Sequence, residues 1–210
     1  MSKVTTFADM LRDCQTIQKV ICTNWVTSAA TSLSSMFQNC SALTDIDVGN
    51  WNTANCTNFS YTFHNCRSLG TLNVRNWNTA KVTTIANMFE NCFALQAVDI
   101  SLWSLPLCTT AASAFINCHT LRKLGPCNFN AMTTLGTTFN TCRSLTSCTV
   151  TGMKVNVDFA NCRLSTAALN QIYTNLASVA TTRTITVTGN YGNVADDISI
   201  ATAKNWTVTG

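Results

Sequence analysis

Charge is what this sequence has least of. Of 210 residues, 13 are Lys or Arg and 9 are Asp or Glu, a 10% charged share where a soluble domain usually carries about 25%. A disordered chain is normally charge-rich and poor in aromatics, so 46% hydrophobic and 9% aromatic content argues for a packed core. Eight Gly and two Pro exclude collagen. No apolar run approaches the roughly 18 residues of a membrane span. The net charge of +4 is spread along the chain, which is no electrostatic footprint for nucleic acid. A signal peptide is not expected either: Lys3 is present, but Asp9, Arg12 and Asp13 fall where an apolar core belongs. The expectation is a chain that folds in the cytoplasm that made it.

What fills the space is uncharged polarity, with 35 Thr, 23 Asn and 16 Ser, and one conspicuous repeat. Seven octets recur: MLRDCQTI (10–17), MFQNCSAL (36–43), TFHNCRSL (62–69), MFENCFAL (88–95), AFINCHTL (114–121), TFNTCRSL (138–145) and the degraded DFANCRLS (158–165). Their cysteines, Cys14, Cys40, Cys66, Cys92, Cys118, Cys142 and Cys162, are spaced by 26, 26, 26, 26, 24 and 20. Trp25, Trp51, Trp77 and Trp103 keep the same period, and Phe129 takes that place in the fifth unit. A fixed period of this size means stacked coils, none of which buries its apolar face alone.

Each unit carries two periodicities. Leu33, Met36, Phe37 and Cys40 fall at the spacing of one helical face. Ile46-x-Val48 then alternates as a short strand does. The expected fold is therefore an α/β, leucine-rich-repeat-like solenoid of about seven coils, each a helical turn, a short strand and a Trp loop. It would span 1–164, and 165–210 would cap it within the same domain. In that cap, 165–178 has helical spacing behind Ser165 or Thr166, Arg183–Gly189 alternates like a strand, and Trp206–Val208 reads as a last strand. Nine residues precede the first octet and nothing in them reads as a cap, so the first coil is expected to dock against another chain.

The octet Asn residues (Asn39, Asn65, Asn91, Asn117 and Asn161) are expected to form an internal ladder with Asp13 and Thr141, each amide serving the coils on both sides. One Cys per turn is not a zinc pattern, which needs paired C-x₂₋₄-C spacing. The cysteines outside the octets sit where sibling units carry apolar residues, as Cys22 does against Val48, Val74 and Ile100. All twelve are therefore read as reduced, small core hydrophobes. No metal and no cofactor is expected.

The unit MFQNCSALTDIDVGNWNTANCTNFSYTF (36–63), with its W-N-T at 51–53 and 77–79, resembles the BspA-type leucine-rich-like repeats of bacterial surface proteins, which read roughly M-F-x-x-C-x-x-L-x-x-L-x-L-x-x-W-x-T. The resemblance covers about residues 7–164. The tail from 164 to 210 looks like the terminal segment of such repeats in tailed-phage fibre and virion proteins. The family implies a solenoid for attachment and display. With no export signal expected, a virion component assembled in the host cytoplasm is favoured, as fibre, receptor-binding part or surface decoration; a bacterial or host-cell surface adhesin is the alternative.

Catalysis is not expected. His64 and His119 occupy different octet positions, where siblings vary, and no Ser/His/Asp set, phosphate loop or zinc-protease motif occurs. Asp45 and Asp47 share a strand face, but their register partners do not repeat the pair, and a glycosidase needs two acids across a cleft. The sequons at Asn55, Asn58 and Asn205 are read as incidental. The candidate partner surface is the exposed strand face, with Asp45, Asp47, Thr71, Asn73 and Asp99. A second stripe follows the octet Cys: Arg67, Phe93, His119, Arg143 and Arg163.

Overall fold

The computed structural model describes residues 4–210. Expectations that involve Met1, Ser2 and Lys3 lie outside the described residues. Each coil contributes a short strand, and successive strands pair in parallel. β1 (Lys19–Val20) pairs with β2 (Asp45–Ile46), β3 (Thr71–Leu72) with β4 (Ala97–Val98), and β5 (Lys123–Asn128) with β6 (Ser147–Thr151). β7 (Val157–Asp158), β8 (Arg183–Thr186) and β9 (Trp206–Thr209) form a three-stranded sheet in chain order. A second parallel ladder runs through Ser32, Asn58, Thr84, Thr110 and Thr134. The only helices among the described residues are α1 (Thr166–Asn175), capped by the Ser165 hydroxyl, and the one-turn α2 (Ser199–Thr202). The fold is a solenoid with few helices.

The octets are not α-helices. Their apolar residues are buried at the expected positions: Leu33, Met36, Phe37 and Cys40 have no exposed surface. The backbone, however, is a chain of turns. Met36 N, Gln38 N and Cys40 N donate three residues back, to Leu33 O, Ser35 O and Phe37 O. The residues between them, Leu33, Ser35, Phe37 and Asn39, donate along the stack to Asn58 O, Ser60 O, Thr62 O and His64 O. Two residues per coil adopt positive φ, one just before the octet and one at its fourth position: Ser35 and Asn39, Tyr61 and Asn65, Asn87 and Asn91, Ser113 and Asn117. A left-handed residue every four positions prevents an α-helix, and Asn tolerates that conformation better than most residues. The octet therefore hydrogen-bonds to its neighbouring coils, as a strand does.

The interior is built of like-on-like stacks. Phe37, Phe63, Phe89, Phe115, Phe139 and Phe159 stack in succession, with ring centroids 4.5–6.1 Å apart. Trp25, Trp51 and Trp77 form a second column at 5.9 and 6.1 Å. The indoles also reach back one coil: Trp77 Nε1 donates to Val48 O (2.9 Å) and Trp103 Nε1 to Val74 O (2.8 Å). The hydroxyl of the W-N-T threonine is buried and reaches forward, Thr53 Oγ1 to Asn78 O and Thr79 Oγ1 to Ser104 O.

An eighth coil follows the seventh octet. Phe159 N donates to Thr186 O and Asn161 N to Thr188 O, the same axial bonds that join earlier coils. Asn190 takes the place of the octet Cys, with its Nδ2 donating to Phe159 O at 2.8 Å. Trp206 Nε1 donates to Ala177 O (2.8 Å), a reach of 29 residues like that of Trp77 and Trp103. The segment 165–210 therefore continues the stack through β8 and β9, and α1 and α2 pack within it.

Candidate functional site

The strand face carries Asp45, Asp47, Thr71, Asn73 and Asp99, all exposed. Asp45 pairs with Lys19 of the preceding coil at 2.5 Å, and Arg75 with Asp99 at 3.3 Å. Such solvent-exposed pairs contribute only about 0–1 kcal/mol. Asp47 Oδ1 accepts from Gly49 N (3.0 Å) and Asp99 Oδ1 from Ser101 N (2.9 Å). These side-chain turns lead each strand into its Trp loop. Hydrogen bonding from Ser101, aided by the Arg75 guanidinium, holds the Asp99 carboxyl below the usual aspartate range. Gly49 lies close to the next coil: a Cβ there would lie 2.7 Å from Asn73 Nδ2, which would have to move aside. Asp47 and Asp99 thus shape the loops as well as facing solvent, while Asp45, Thr71 and Asn73 form the more open part of the face.

The thiols lie elsewhere. All twelve cysteines are free, and all but Cys14 are buried. In each octet after the first, the Sγ points to a carbonyl of the previous coil: Cys40 to Leu11 O (3.0 Å), Cys66 to Phe37 O (3.2 Å), Cys92 to Phe63 O and Cys118 to Phe89 O (both 3.1 Å), and Cys142 to Phe115 O (3.1 Å). Burial pushes the thiols up, to about 11 at Cys40 and about 12 at Cys148. Thiols buried in this way are poor nucleophiles. Among the described residues, no three His, Cys, Asp or Glu side chains gather as a metal ion would require. His64 faces Glu90 at 3.4 Å, and burial is the main cause of its lowered basicity.

The edge beside the cysteines is organised by two parallel columns. One is the octet amide ladder. Asn39 Nδ2 donates to Asp13 Oδ1 (2.6 Å), Asn65 to Asn39 (2.7 Å), Asn91 to Asn65 (2.9 Å) and Asn117 to Asn91 (2.8 Å), and the Thr141 hydroxyl closes on Asn117 Oδ1. These amides are half-buried rather than internal. The other column is the residue after each octet Cys. Arg67 lies over the Phe93 ring at 5.5 Å, and Phe93 stacks on His119 at 4.8 Å and 5°. Arg143 follows, and Arg163 lies 5.3 Å over Tyr191, which holds this position in the eighth coil. Tyr191 escapes a reading of octets because its coil lacks the Cys; the signal that finds it is Asn190 followed by an aromatic.

The family described as "Mycoplasma protein of unknown function, DUF285" matches residues 1–103 and, in a second register, residues 34–151. The chain belongs to this family. Overlapping matches are what a repeated sequence allows, and membership agrees with the BspA-type character of the unit. No curated protein matches this DUF285 chain. Among its described residues, no helix is long and apolar enough to cross a membrane.

Proposed function

We propose that this chain is a non-catalytic structural and attachment protein, most specifically a component of a tailed-phage particle: a fibre or receptor-binding part, or a decoration of the head or tail surface, assembled in the host cytoplasm. One observation carries the reading. The reactive side chains, twelve thiols and four of the five indoles, are spent inside or against the stack, while its repeated outer faces are polar and open. That is a surface built for extended contact rather than for turnover. No cofactor is needed for it. The tail segment's likeness to virion repeat proteins supports the phage assignment. A surface adhesin is the second reading, favoured by the family's Mycoplasma members.

Attachment is assigned to the strand face. Replacing Asp45, Asp47, Asn73 and Asp99 together should abolish binding to cells while the fold persists by circular dichroism. Unchanged binding would move recognition to another face. Assembly is assigned to the first coil. Among the described residues β1 pairs on one side only, with β2, and Met10, Ile21 and Val26 beside it are 52%, 75% and 69% exposed. An exposed strand edge with apolar neighbours is one that proteins normally cover, here by a second copy or a neighbouring virion protein. Cryo-EM of the particle, supported by cross-linking from Lys19, tests both the location and the orientation. A first coil in open solvent within the assembly would refute the docking.

A further inference from the structure

The edge beside the cysteines, separate from the strand face, presents a linear array of fixed positive charge. Arg67, Arg143 and Arg163 project from the third, sixth and seventh coils, and all three are exposed. Parallel coils lie about 4.8 Å apart, so the guanidiniums of Arg143 and Arg163 are near neighbours of like charge. Arg67 and Arg163 are not loose tethers: each lies over an aromatic ring of the next coil, Phe93 and Tyr191. A guanidinium resting near a ring in this way still presents its fork of N–H donors to a carboxylate or sulfate. Glu90 is engaged by His64 and by the Asn87 amide, and among the described residues no ion pair joins an acid to Arg67, Arg143 or Arg163. Arg143 in turn adds to burial in lowering the basicity of His119.

Two open grooves lie along this edge. One, of about 590 Å³, is lined by Thr141, Arg143, Asn161, Arg163 and Tyr191; the other, of about 150 Å³, by Gln15, Asn39, Ser41, Asn65 and Arg67. Members of the ladder, Thr141 in the first groove and Asn39 and Asn65 in the second, therefore lie beside the charges. Each amide has two N–H donors and an oxygen with two lone pairs. The ladder takes one N–H and one lone pair of Asn65, Asn91 and Asn117. What remains at each rung is one donor beside one acceptor, the complement of a hydroxyl. A phosphodiester backbone can only accept, and would leave every remaining lone pair unmatched. Phe93 offers no platform for a base, with Arg67 on one face and His119 on the other; that leaves Tyr191 as a single ring, whereas single-stranded nucleic acid binding stacks successive bases on open aromatic faces.

We propose that this edge is a binding site for an acidic glycan, a chain bearing carboxylates or sulfates among free hydroxyls, lying along the coil axis from Arg67 to Tyr191. The anionic groups take the guanidiniums and the hydroxyls take the amide rungs. The proposal deepens the attachment reading and rests on it only in assigning the protein a surface ligand.

The test uses the full chain and four probes: a heparin oligosaccharide for sulfate, oligogalacturonate for carboxylate, dextran as a neutral glycan, and oligo-dT as a polyanion without hydroxyls. Calorimetry at low salt should show binding of at least one acidic glycan and none of dextran. The variant Arg67→Gln/Arg143→Gln/Arg163→Gln should weaken that binding at least ten-fold. A variant with equal charge loss elsewhere, Lys81→Gln/Lys123→Gln/Lys154→Gln, should leave it within two-fold. The strand-face variant at Asp45, Asp47, Asn73 and Asp99 should also leave it unchanged, which separates failure of this site from failure of the attachment surface. The single variants Arg143→Gln and Arg163→Gln, at exposed side chains, guard against a folding effect and should each weaken binding. The proposal is overturned if neither acidic glycan binds, if oligo-dT binds as tightly, or if both lysine and arginine variants lose affinity alike.

Discussion

Cys92 shows why a small hydrophobe of one particular kind recurs in every octet. Its side chain fills a site without solvent access, and its thiol also supplies a weak donor to Phe63 O. Alanine would keep neither the volume nor the donor. Burial that pushes these thiols to about 11 or 12 makes thiolate scarce at neutral pH. We expect a thiol reagent to modify only Cys14 readily in the native protein and all twelve after denaturation without reductant, as counted by mass spectrometry. Thiols still missing after denaturation would mean disulfides. Asn91 has two duties as well, a positive φ of 59° and a rung of the ladder. Asn91→Ala loses both and should cost about 2–3 kcal/mol, from about 1–2 for a left-handed alanine and about 1 for the hydrogen bonds. Asn91→Gly relieves the backbone term and should cost clearly less in urea denaturation. Equal losses would mean that φ at 91 plays no part.

At the scale of the coil, the octet and the strand contribute differently. Phe89 stacks between Phe63 and Phe115 with no exposed surface. Phe89→Ala should therefore cost about 3–5 kcal/mol as a core truncation. An exposed aspartate alone suggests a cost under about 0.5 kcal/mol, but Asp47 also accepts from Gly49 N. Asp47→Ala is therefore expected to cost about 0.5–1.5 kcal/mol. Similar losses at 47 and 89, measured by the same denaturation, would refute the assigned register. The octet's backbone also differs from the helix its spacing suggests. Apolar spacing of i, i+3, i+4, i+7 reports which side chains face inward. It does not report whether each N–H bonds within its coil or to the next, and here alternate residues do one and then the other.

For the molecule as a whole, contact is with neighbouring coils, so stability should be graded along the stack. Backbone amides of the third to sixth coils, such as Phe63, Phe89 and Phe115, donate to coils on their far side and sit between stacked rings. Hydrogen exchange followed by mass spectrometry should protect them longest. The first coil, bonded on one side among the described residues, should exchange first. Uniform exchange along the chain would refute nearest-neighbour stacking. Assembly onto a partner through the first coil would slow its exchange selectively.

Sequence alone determined the period, the inward residues and the stacking of like on like, because a side chain that recurs every 26 positions must meet its own copies once coils pile up. The Phe column, the Trp column and the recurring Asn and Cys positions were legible for that reason. The eighth coil was not. Its place in the stack depends on Asn190 reaching Phe159 O from 31 residues away, and an amide in place of a thiol, at a stretched spacing, leaves no pattern to match. The strand-face acids were legible as exposed residues, yet only the tertiary structure shows Asp47 and Asp99 accepting backbone bonds. The edge array has the same origin. Arg67, Phe93, His119, Arg143 and Arg163 were legible as a stripe after the octet Cys, but they vary in kind, so the repeat did not tell which of them touch, and Tyr191 lay outside the stripe. Stacking the coils sets guanidinium over ring and amide beside charge, because adjacency between coils is decided by backbone hydrogen bonds along the axis and not by neighbours in sequence.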